Sequence, residues 1–100
     1  MKTFGKIIRA EREKRGLYLR QVAARTDIDQ TIISKFETGE RKPNREQVLR
    51  IAKFYGIKQD ELLVAWWSDR VAYDLQNERF ADTVLKVAEK KIKYNKQQKK

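Results

Sequence analysis

The chain has 100 residues, which is enough for one compact domain or for a small domain with an appendage. Its formal net charge is +10, and this surplus indicates a polyanionic partner, nucleic acid first and an acidic membrane surface second. Cys and His are absent, which excludes disulfides and thiolate zinc sites and removes the commonest general base. We therefore expect no metal site, no cofactor and no enzyme activity.

The sequence shows no targeting or membrane-spanning pattern. The N-terminal stretch is charged from its second residue and contains no apolar run of signal-peptide length. The longest apolar run, residues 62–67, is far shorter than the ~20 residues that a membrane span needs. We expect a cytoplasmic protein with no membrane partner and no small-molecule ligand.

Apolar periodicity and capping residues predict an all-α fold that begins with five short helices. Thr3 is a candidate N-cap for the first helix, which ends at Gly16. The second helix is predicted at residues 19–25 and the third at residues 30–38, with Asp29 as the N-cap of the third.

The second and third predicted helices are separated only by a very short break. Thr26 and Asp27 occupy it, and Asp is one of the residues that tolerate the left-handed conformation such turns often need. Two helices joined by so tight a turn cross at a steep angle, which is the helix-turn-helix geometry. We interpret residues 20–39 as a DNA-reading element, because the third helix carries polar side chains that can read base edges or touch phosphates between its apolar positions.

A polar loop at residues 40–43 precedes the fourth helix, for which Asn44 and Gln47 form a capping-box pattern. The fifth helix begins near Gln59. The sequence leaves open whether residues 59–76 form one helix or whether Ser68 and Asp69 cap a separate one.

A last helix is predicted after a break at Asn77, and residues 95–100 are predicted to be a disordered basic tail. The lysines near this end either contact flanking phosphates or only solubilise the chain. The predicted organisation is a DNA-binding domain at residues 1–65 and a dimerisation extension at residues 66–94, whose one or two C-terminal helices form a hairpin. The alternative is that these helices pack back onto their own domain. The residues assigned to the dimer interface are Trp66, Trp67, Val71, Leu75, Phe80, Val84 and Ile92.

Several residues occur at spacings typical of one known family. They are Phe4, Gly5, Ile8, Arg12, Gly16, Leu17, Val22, Ala23, Ile33, Ser34, Lys35, Glu37, Gly39, Pro43, Leu49, Ala52, Leu62 and Leu63. On these residues, the stretch 4–63 resembles the phage-repressor and Cro-like (XRE-type) helix-turn-helix family, which has a five-helix all-α DNA-binding domain. The whole chain more loosely resembles small controllers found beside DNA-methyltransferase genes in restriction–modification systems.

The resemblance implies that the third helix is a recognition helix whose N-terminal end enters the major groove of double-stranded DNA. The residues expected to read bases are Gln30, Thr31, Ile32 and Lys35. Gln pairs with adenine, Lys donates to guanine, Thr bonds either a base or a phosphate, and Ile meets a thymine methyl group. The residues expected to contact phosphates are Arg20, Ser34, Thr38, Arg41, Lys42 and Arg45, although Ser34 is equally suited to solvent and a basic loop is often only a solvated face.

Two further positions are assigned from the resemblance. Arg12 and Glu37 match family positions that form a partly buried ion pair, and we assign them a structural role. Tyr18 and Leu19 stand where the family usually has a Ser or Thr cap followed by a DNA-contacting Gln, so one contact from the second helix is expected to be missing. Glu11 stands where the family favours an apolar residue.

These features favour a sequence-specific, dimeric transcriptional regulator that recognises a short inverted repeat. A controller of a restriction–modification operon is the narrower version of this hypothesis. The alternative is an antitoxin-like or other protein-interaction module that uses the C-terminal helices. An enzyme is the weakest hypothesis, because the candidate carboxylate pairs, Asp60 with Glu61 and Asp69 with Asp74, lie on predicted surface helices without a pocket.

Overall fold

The computed structural model describes residues 2–98, and this part of the chain contains six α-helices and no strand. The all-α prediction is therefore confirmed. The helices are α1 (Phe4–Lys14), α2 (Leu19–Thr26), α3 (Gln30–Thr38), α4 (Arg45–Tyr55), α5 (Gln59–Leu75) and α6 (Ala81–Gln98). The chain divides into a first compact unit that ends at Arg70 and a second that begins at Val71.

The predicted caps begin three of these helices. The Thr3 hydroxyl accepts a hydrogen bond from a backbone N–H in the first turn of α1, at 3.2 Å. Asp29 Oδ1 accepts from the N–H of Thr31 at 2.8 Å. Asn44 and Gln47 form a reciprocal capping box, with N···O distances of 2.8 and 2.9 Å. Each such cap satisfies backbone donors that a helix start leaves unpaired, and a cap of this kind stabilises a helix by ~1 kcal/mol.

The turn between α2 and α3 has the predicted left-handed residue. Asp27 has φ 57° and ψ 40°, and it is the only residue other than Gly with positive φ among residues 2–98. Its N–H donates to the carbonyl oxygen of Ala23 at 2.9 Å, which satisfies one of the last carbonyls of α2. This single residue ends α2 and allows α3 to start three residues later, at Gln30.

The hydrophobic core belongs to the first unit and receives side chains from α1 to α5. Its buried members are Phe4, Ile8, Val22, Ile28, Ile33, Phe36, Val48, Ile51, Ala52, Tyr55 and Leu62. Burial of each large apolar side chain contributes ~1.5–3 kcal/mol. Because α3 packs against both α1 and α2, the core holds the proposed recognition helix by its inner face and leaves its outer face to solvent.

Gly5 lies where α1 comes closest to the backbone of α3. A Cβ atom on this residue would be 2.5 Å from the carbonyl oxygen of Phe36 and 2.6 Å from that of Glu37. Both distances are shorter than real Cβ contacts, and the obstructing atoms are backbone that cannot rotate away. Gly5 is therefore required by the close approach of α1 to α3, a reason that the sequence alone does not supply.

We expect Gly5→Ala to destabilise the first unit by ~1–3 kcal/mol, as overpacking does. On an unobstructed helix the same change would stabilise the protein by about 1 kcal/mol. The sign of the change in the free energy of unfolding therefore tells whether the backbone of α3 obstructs a side chain at position 5. Urea unfolding followed by circular dichroism measures the difference. Lys6→Ala, at the exposed neighbouring position, is the control and should change stability little; a Gly5→Ala variant more stable than wild type would contradict the close approach.

α5 is one unbroken helix, which decides the question that the sequence left open at residues 59–76. Ser68 does not cap a new helix, since its hydroxyl donates to the carbonyl oxygen of Ala65 at 3.0 Å. The Asp69 carboxylate instead accepts a hydrogen bond from the N–H of Phe4 at 2.8 Å. Asp69 thus serves the start of α1, where a carboxylate also complements the helix macrodipole.

The structure gives Trp66 a role different from the predicted one. Its ring is half-buried and packs against the core of the first unit, and its Nε1–H donates to the carbonyl oxygen of Pro43 at 2.9 Å. Trp66 therefore holds its own domain together, whereas the sequence assigned it to a dimer interface. Its neighbour Trp67 remains 47% exposed.

The second unit consists of the last turn of α5, a short turn and α6. Within the described residues 81–98, no side chain of α6 is buried. Of the other residues assigned to the dimer interface, Leu75 is half-buried, and Val71, Phe80, Val84 and Ile92 are exposed.

The predicted disordered tail is wrong for residues 95–98. α6 continues through Gln98, because Lys and Gln are good helix formers and a helix that has already started adds residues without needing to bury them. Residues 99 and 100 of the predicted tail lie outside the described residues.

Candidate nucleic-acid interface

The Arg12–Glu37 pair connects α1 to the last turn of α3. Arg12 Nε and Nη2 donate to the two carboxylate oxygens of Glu37 at 2.8 and 3.0 Å, and Nη1 donates to the carbonyl oxygen of Leu17 at 3.0 Å. The Glu37 side chain is only 5% exposed and that of Arg12 17%. The hydrogen bonds to Glu37 raise the pKa of Arg12. This bidentate pair orients the helix whose other face is proposed to meet DNA.

α3 exposes three of the four residues predicted to read bases. Ile33 and Phe36 are buried in the core, and this places Gln30, Thr31 and Lys35 on the solvent side of the helix. Side chains at positions i, i+1 and i+5 of a nine-residue helix span its first turn and its middle. The exposed face thus carries an amide, a hydroxyl and an ammonium group, which suit the acceptors and donors of base edges.

Ile32 is placed differently from the prediction. Its side chain is half-buried and packs against the core. A side chain used in this way contributes mainly to the packing of α3. We therefore leave Ile32 out of the proposed base-reading set.

Thr38, a predicted phosphate contact, is exposed and has its hydroxyl bonded within the protein. Its hydroxyl lies 3.2 Å from the carbonyl oxygen of Lys35 and 3.2 Å from Oε1 of Glu40. The hydroxyl proton is thus engaged inside the protein, and the adjacent carboxylate would repel a phosphate. Ser34, the other predicted hydroxyl contact on α3, is half-buried.

The start of α3 is not an open anion site. Asp29 Oδ1 accepts from the N–H groups of both Thr31 and Ile32, at 2.8 and 3.3 Å. These donors would otherwise attract a phosphate. Asp29 therefore occupies two of the N–H groups at the start of α3.

Arg20 and Gln30 line the same shallow surface depression between α2 and α3. The Arg20 guanidinium also stacks over the ring of Tyr18, 4.7 Å from its centroid. The stacking holds the Arg20 cation near the exposed face of α3. Sequence reasoning did not find this stacking partner of Arg20.

The basic loop after α3 is anchored at both ends. The N–H of Arg41 donates to the carbonyl oxygen of Lys35 at 3.2 Å, and the carbonyl of Pro43 accepts from the Trp66 indole. The side chains predicted to contact phosphates here, on Arg41, Lys42 and Arg45, belong to exposed residues. Two cations, Arg41 and Lys42, thus follow α3 on a loop whose backbone is hydrogen-bonded at both ends, and Arg45 is the first residue of α4.

Both departures from the family pattern are accommodated locally. The N–H of Tyr18 donates to Gln21 Oε1 at 2.7 Å, so Gln21 supplies the capping bond at the start of α2. Glu11 pairs with Arg15 at 2.6 Å, and this hydrogen bond lowers the pKa of Glu11.

Arg15 connects this pair to the end of α4. It donates to the carbonyl oxygen of Tyr55 at 2.7 Å and lies over the Tyr55 ring, 5.0 Å from its centroid. Burial raises the pKa of Tyr55 to about 12, and its hydroxyl has no hydrogen-bond partner among residues 2–98. This cluster faces the core and supports the fold.

Comparison with known families gives one match. The model of the helix-turn-helix family matches residues 8–62, which is more than half of the chain. The matched stretch includes most of α1, all of α2, α3 and α4, and the start of α5. The chain belongs to the helix-turn-helix family. This confirms the resemblance to phage repressors and Cro-like proteins, and it identifies the first unit as a DNA-binding regulatory domain. Neither the comparison with curated proteins nor that with solved structures gave a match.

Residues 2–98 of this helix-turn-helix protein contain neither a metal-binding cluster nor a membrane-spanning helix. No cluster of three or more acidic, His or Cys side chains is arranged to hold a metal ion. No helix in the described part of the chain combines the length and apolar character needed to cross a membrane.

Proposed function

We propose that this helix-turn-helix protein is a transcriptional regulator that binds DNA as a homodimer and reads one half of an inverted repeat with each copy of α3. The observation that carries the proposal is the two-sided character of α3. Its inner face is held by Ile33, Phe36 and the Arg12–Glu37 pair, and its outer face presents Gln30, Thr31 and Lys35. A rigidly held helix with exposed hydrogen-bonding side chains is what direct readout in the major groove requires.

Phosphate contacts are proposed for Arg20, Arg41, Lys42 and Arg45. Arg20 precedes α3 and the other three follow it, so these cations flank the base-reading residues in the sequence on both sides. Contacts of this kind fix the register of the protein on the duplex without specifying sequence.

The homodimer is proposed because two recognition helices about 34 Å apart are needed to read a palindrome. The exposed apolar side chains of α6 and of the end of α5 supply the surface for it. The same surface favours the alternative function, an antitoxin-like module that binds a different protein. Light scattering discriminates between them: the proposed regulator is a dimer of this chain alone, and the alternative is a monomer until its partner is added.

Selection from a randomised duplex library at about physiological salt tests the proposed function. We expect recovery of an inverted repeat whose half-sites are about one helical turn apart. Binding that is sensitive to salt but recovers no motif would contradict sequence-specific reading and leave only the electrostatic attraction. The narrower proposal, a restriction–modification controller that acts on its own promoter, predicts that the recovered repeat occurs upstream of its own gene.

Arg41→Gln is expected to weaken binding to every duplex by a similar factor, because a phosphate contact carries no sequence information. Loss of one such contact also reduces the slope of log K against log salt by ~1. Titrations at several salt concentrations measure both effects. Lys53→Gln removes the same charge from the exposed last turn of α4, and it is the control; an equal loss in this variant would show that only net charge matters.

A further inference from the structure

α6 carries an apolar face that nothing in the described chain covers. The face consists of two adjacent stripes at helical spacing. One stripe contains Leu85, Ala88 and Ile92, and the other contains Val84, Val87 and Tyr94, with Phe80 immediately before the helix. The six large side chains among these residues are 40–61% exposed. Lys91 and Asn95 are polar residues within this arc. A helix with so wide an apolar arc normally packs against another helix.

The charges of α6 are distributed unevenly along its length. Its acidic residues, Asp82 and Glu89, lie in the first half. The stretch from residue 90 to residue 98 contains four lysines and no acidic residue. Two copies of α6 placed side by side in the same direction would bring these eight lysines together, which is unfavourable. Copies that run in opposite directions would place each basic half beside the first half of the other copy, which contains Asp82, Glu89 and one lysine, Lys86.

The residues along one edge of the apolar face also change from acidic to basic toward the C-terminal end of α6. Asp82, Glu89 and Lys96 are seven residues apart and therefore lie in one row along the helix. In an antiparallel pair of identical helices the same row of each copy meets. With Ala88 on the two-fold axis, Asp82 and the partner's Lys96 are offset by only about 3 Å along the helix axis, which leaves the two charged side chains within reach of each other. Glu89 then lies near the two-fold axis, where the Lys93 ammonium of its own helix, 3.3 Å away, neutralises it.

Ala88 lies at the middle of the apolar face. It is halfway between Val84 and Ile92, and its side chain is small enough to let two helices approach closely. With Ala88 on the two-fold axis, Val84 of each copy lies opposite the partner's Ile92. Antiparallel helices also align their macrodipoles favourably.

We propose that two copies of this chain associate through antiparallel pairing of α6, with Ala88 at the two-fold axis. The inference rests on the proposed homodimer and adds the partner, the direction and the register of its interface. The apolar face of α6 thus packs against α6 of a second copy of the chain. The row that contains Asp82 and Lys96 favours the antiparallel over the parallel arrangement of the two helices.

Cysteine cross-linking tests the direction, because the chain contains no Cys and each introduced thiol is the only one. The variants are Val84→Cys and Ile92→Cys in the full chain, each with a tag of different size. After subunit exchange and mild oxidation, we expect the mixture to form a disulfide-linked heterodimer, and each variant alone to form little dimer. Parallel pairing predicts the opposite result, with cross-linked homodimers of each variant. Ala88→Cys is the positive control, since it cross-links to itself in both arrangements.

Charge exchange supplies a second measurement that does not depend on oxidation. Asp82→Lys and Lys96→Asp each place like charges opposite one another at two symmetric sites, and we expect each change to weaken dimerisation roughly ten-fold at low salt. The double variant Asp82→Lys/Lys96→Asp restores opposite charges and should regain most of the wild-type affinity. Sedimentation equilibrium measures all three; a double variant as weak as the singles would overturn the register.

The outcomes separate this inference from the proposed function. A wild-type dimer with 84–84 and 92–92 cross-links overturns the antiparallel direction and leaves the dimeric regulator intact. A wild-type monomer overturns both the direction and the dimer. A monomer that also co-sediments with anionic lipid vesicles would assign the basic, amphipathic α6 to a membrane surface instead.

Discussion

Arg12→Ala is expected to lower the free energy of unfolding of the first unit by ~3–5 kcal/mol, the largest effect of any single substitution proposed for this chain. The change leaves the Glu37 carboxylate, 5% exposed, without the guanidinium that neutralises it and forms two hydrogen bonds to it. It also removes the donor to the carbonyl of Leu17. Small domains have total stabilities of ~5–15 kcal/mol, so this variant is expected to be substantially unfolded at 37 °C.

A double-mutant cycle, with the free energy of unfolding measured in urea, separates the contribution of the Arg12–Glu37 pair from the contributions that each side chain makes to its other neighbours. Glu37→Ala should cost a similar amount, since it leaves Arg12 as the unpaired charge. Replacement of both residues by apolar side chains of similar volume, Arg12→Met with Glu37→Leu, should recover most of the loss, because neither charge is then left alone. Single variants that each lose less than ~1 kcal/mol would show that the pair behaves as a surface ion pair.

Gln30→Ala is expected to relax the preference for one base pair in each half-site by ~1–3 kcal/mol, the discrimination that a bidentate side-chain contact provides. A palindromic site contains this contact twice, so the loss of free energy for the whole operator is about double that for a half-site. The fold should be unaffected, because Gln30 is exposed and the first turn of α3 is capped by Asp29. Selection from the randomised library, repeated with this variant, shows which base position loses its preference.

Lys35→Ala is the matched comparison, since it truncates another exposed residue of the same helix face. It should relax a different position of the half-site. Two variants that lose the same position, or an unchanged operator preference for Gln30→Ala, would contradict the assignment of these residues to base reading. Thr31 would then be the next residue of this face to test.

The features that the sequence predicted well are those with local causes. Asp29, Asn44 and Gln47 cap helices through bonds to residues two or three positions away, and Asp27 ends α2 through its own φ angle. Such interactions are determined by short stretches of chain and hold in many tertiary contexts. The buried stripe of α3, with Ile33 and Phe36, follows from its periodicity in the same way.

The structure differs from the sequence prediction where the role of a side chain depends on contacts with distant parts of the chain, or where a residue lies at the border of an apolar stripe. Ile32 lies beside the buried stripe of α3, and periodicity does not decide on which side of that edge it packs. Trp66 finds its hydrogen-bond acceptor 23 residues away in the sequence. Thr38 turns its hydroxyl toward a carbonyl three residues back, a competing local bond open to any Thr near a helix end. Gly5 matters because of backbone that belongs to another helix.

The hydrogen bond between the Trp66 indole and the Pro43 carbonyl means that the DNA-binding domain cannot be cut at residue 65 without losing one of its own contacts. A fusion protein cut at that point would keep every residue of α3 and of the basic loop. It would lose the Trp66 indole that donates to the loop and the Asp69 carboxylate that accepts from the start of α1. Transplanting this domain onto another dimerisation segment therefore requires α5 at least through Asp69. Because Trp66 of α5 holds the basic loop, a substitution in this part of α5 that is selected for its effect on the proposed dimer also acts on the loop proposed to meet DNA.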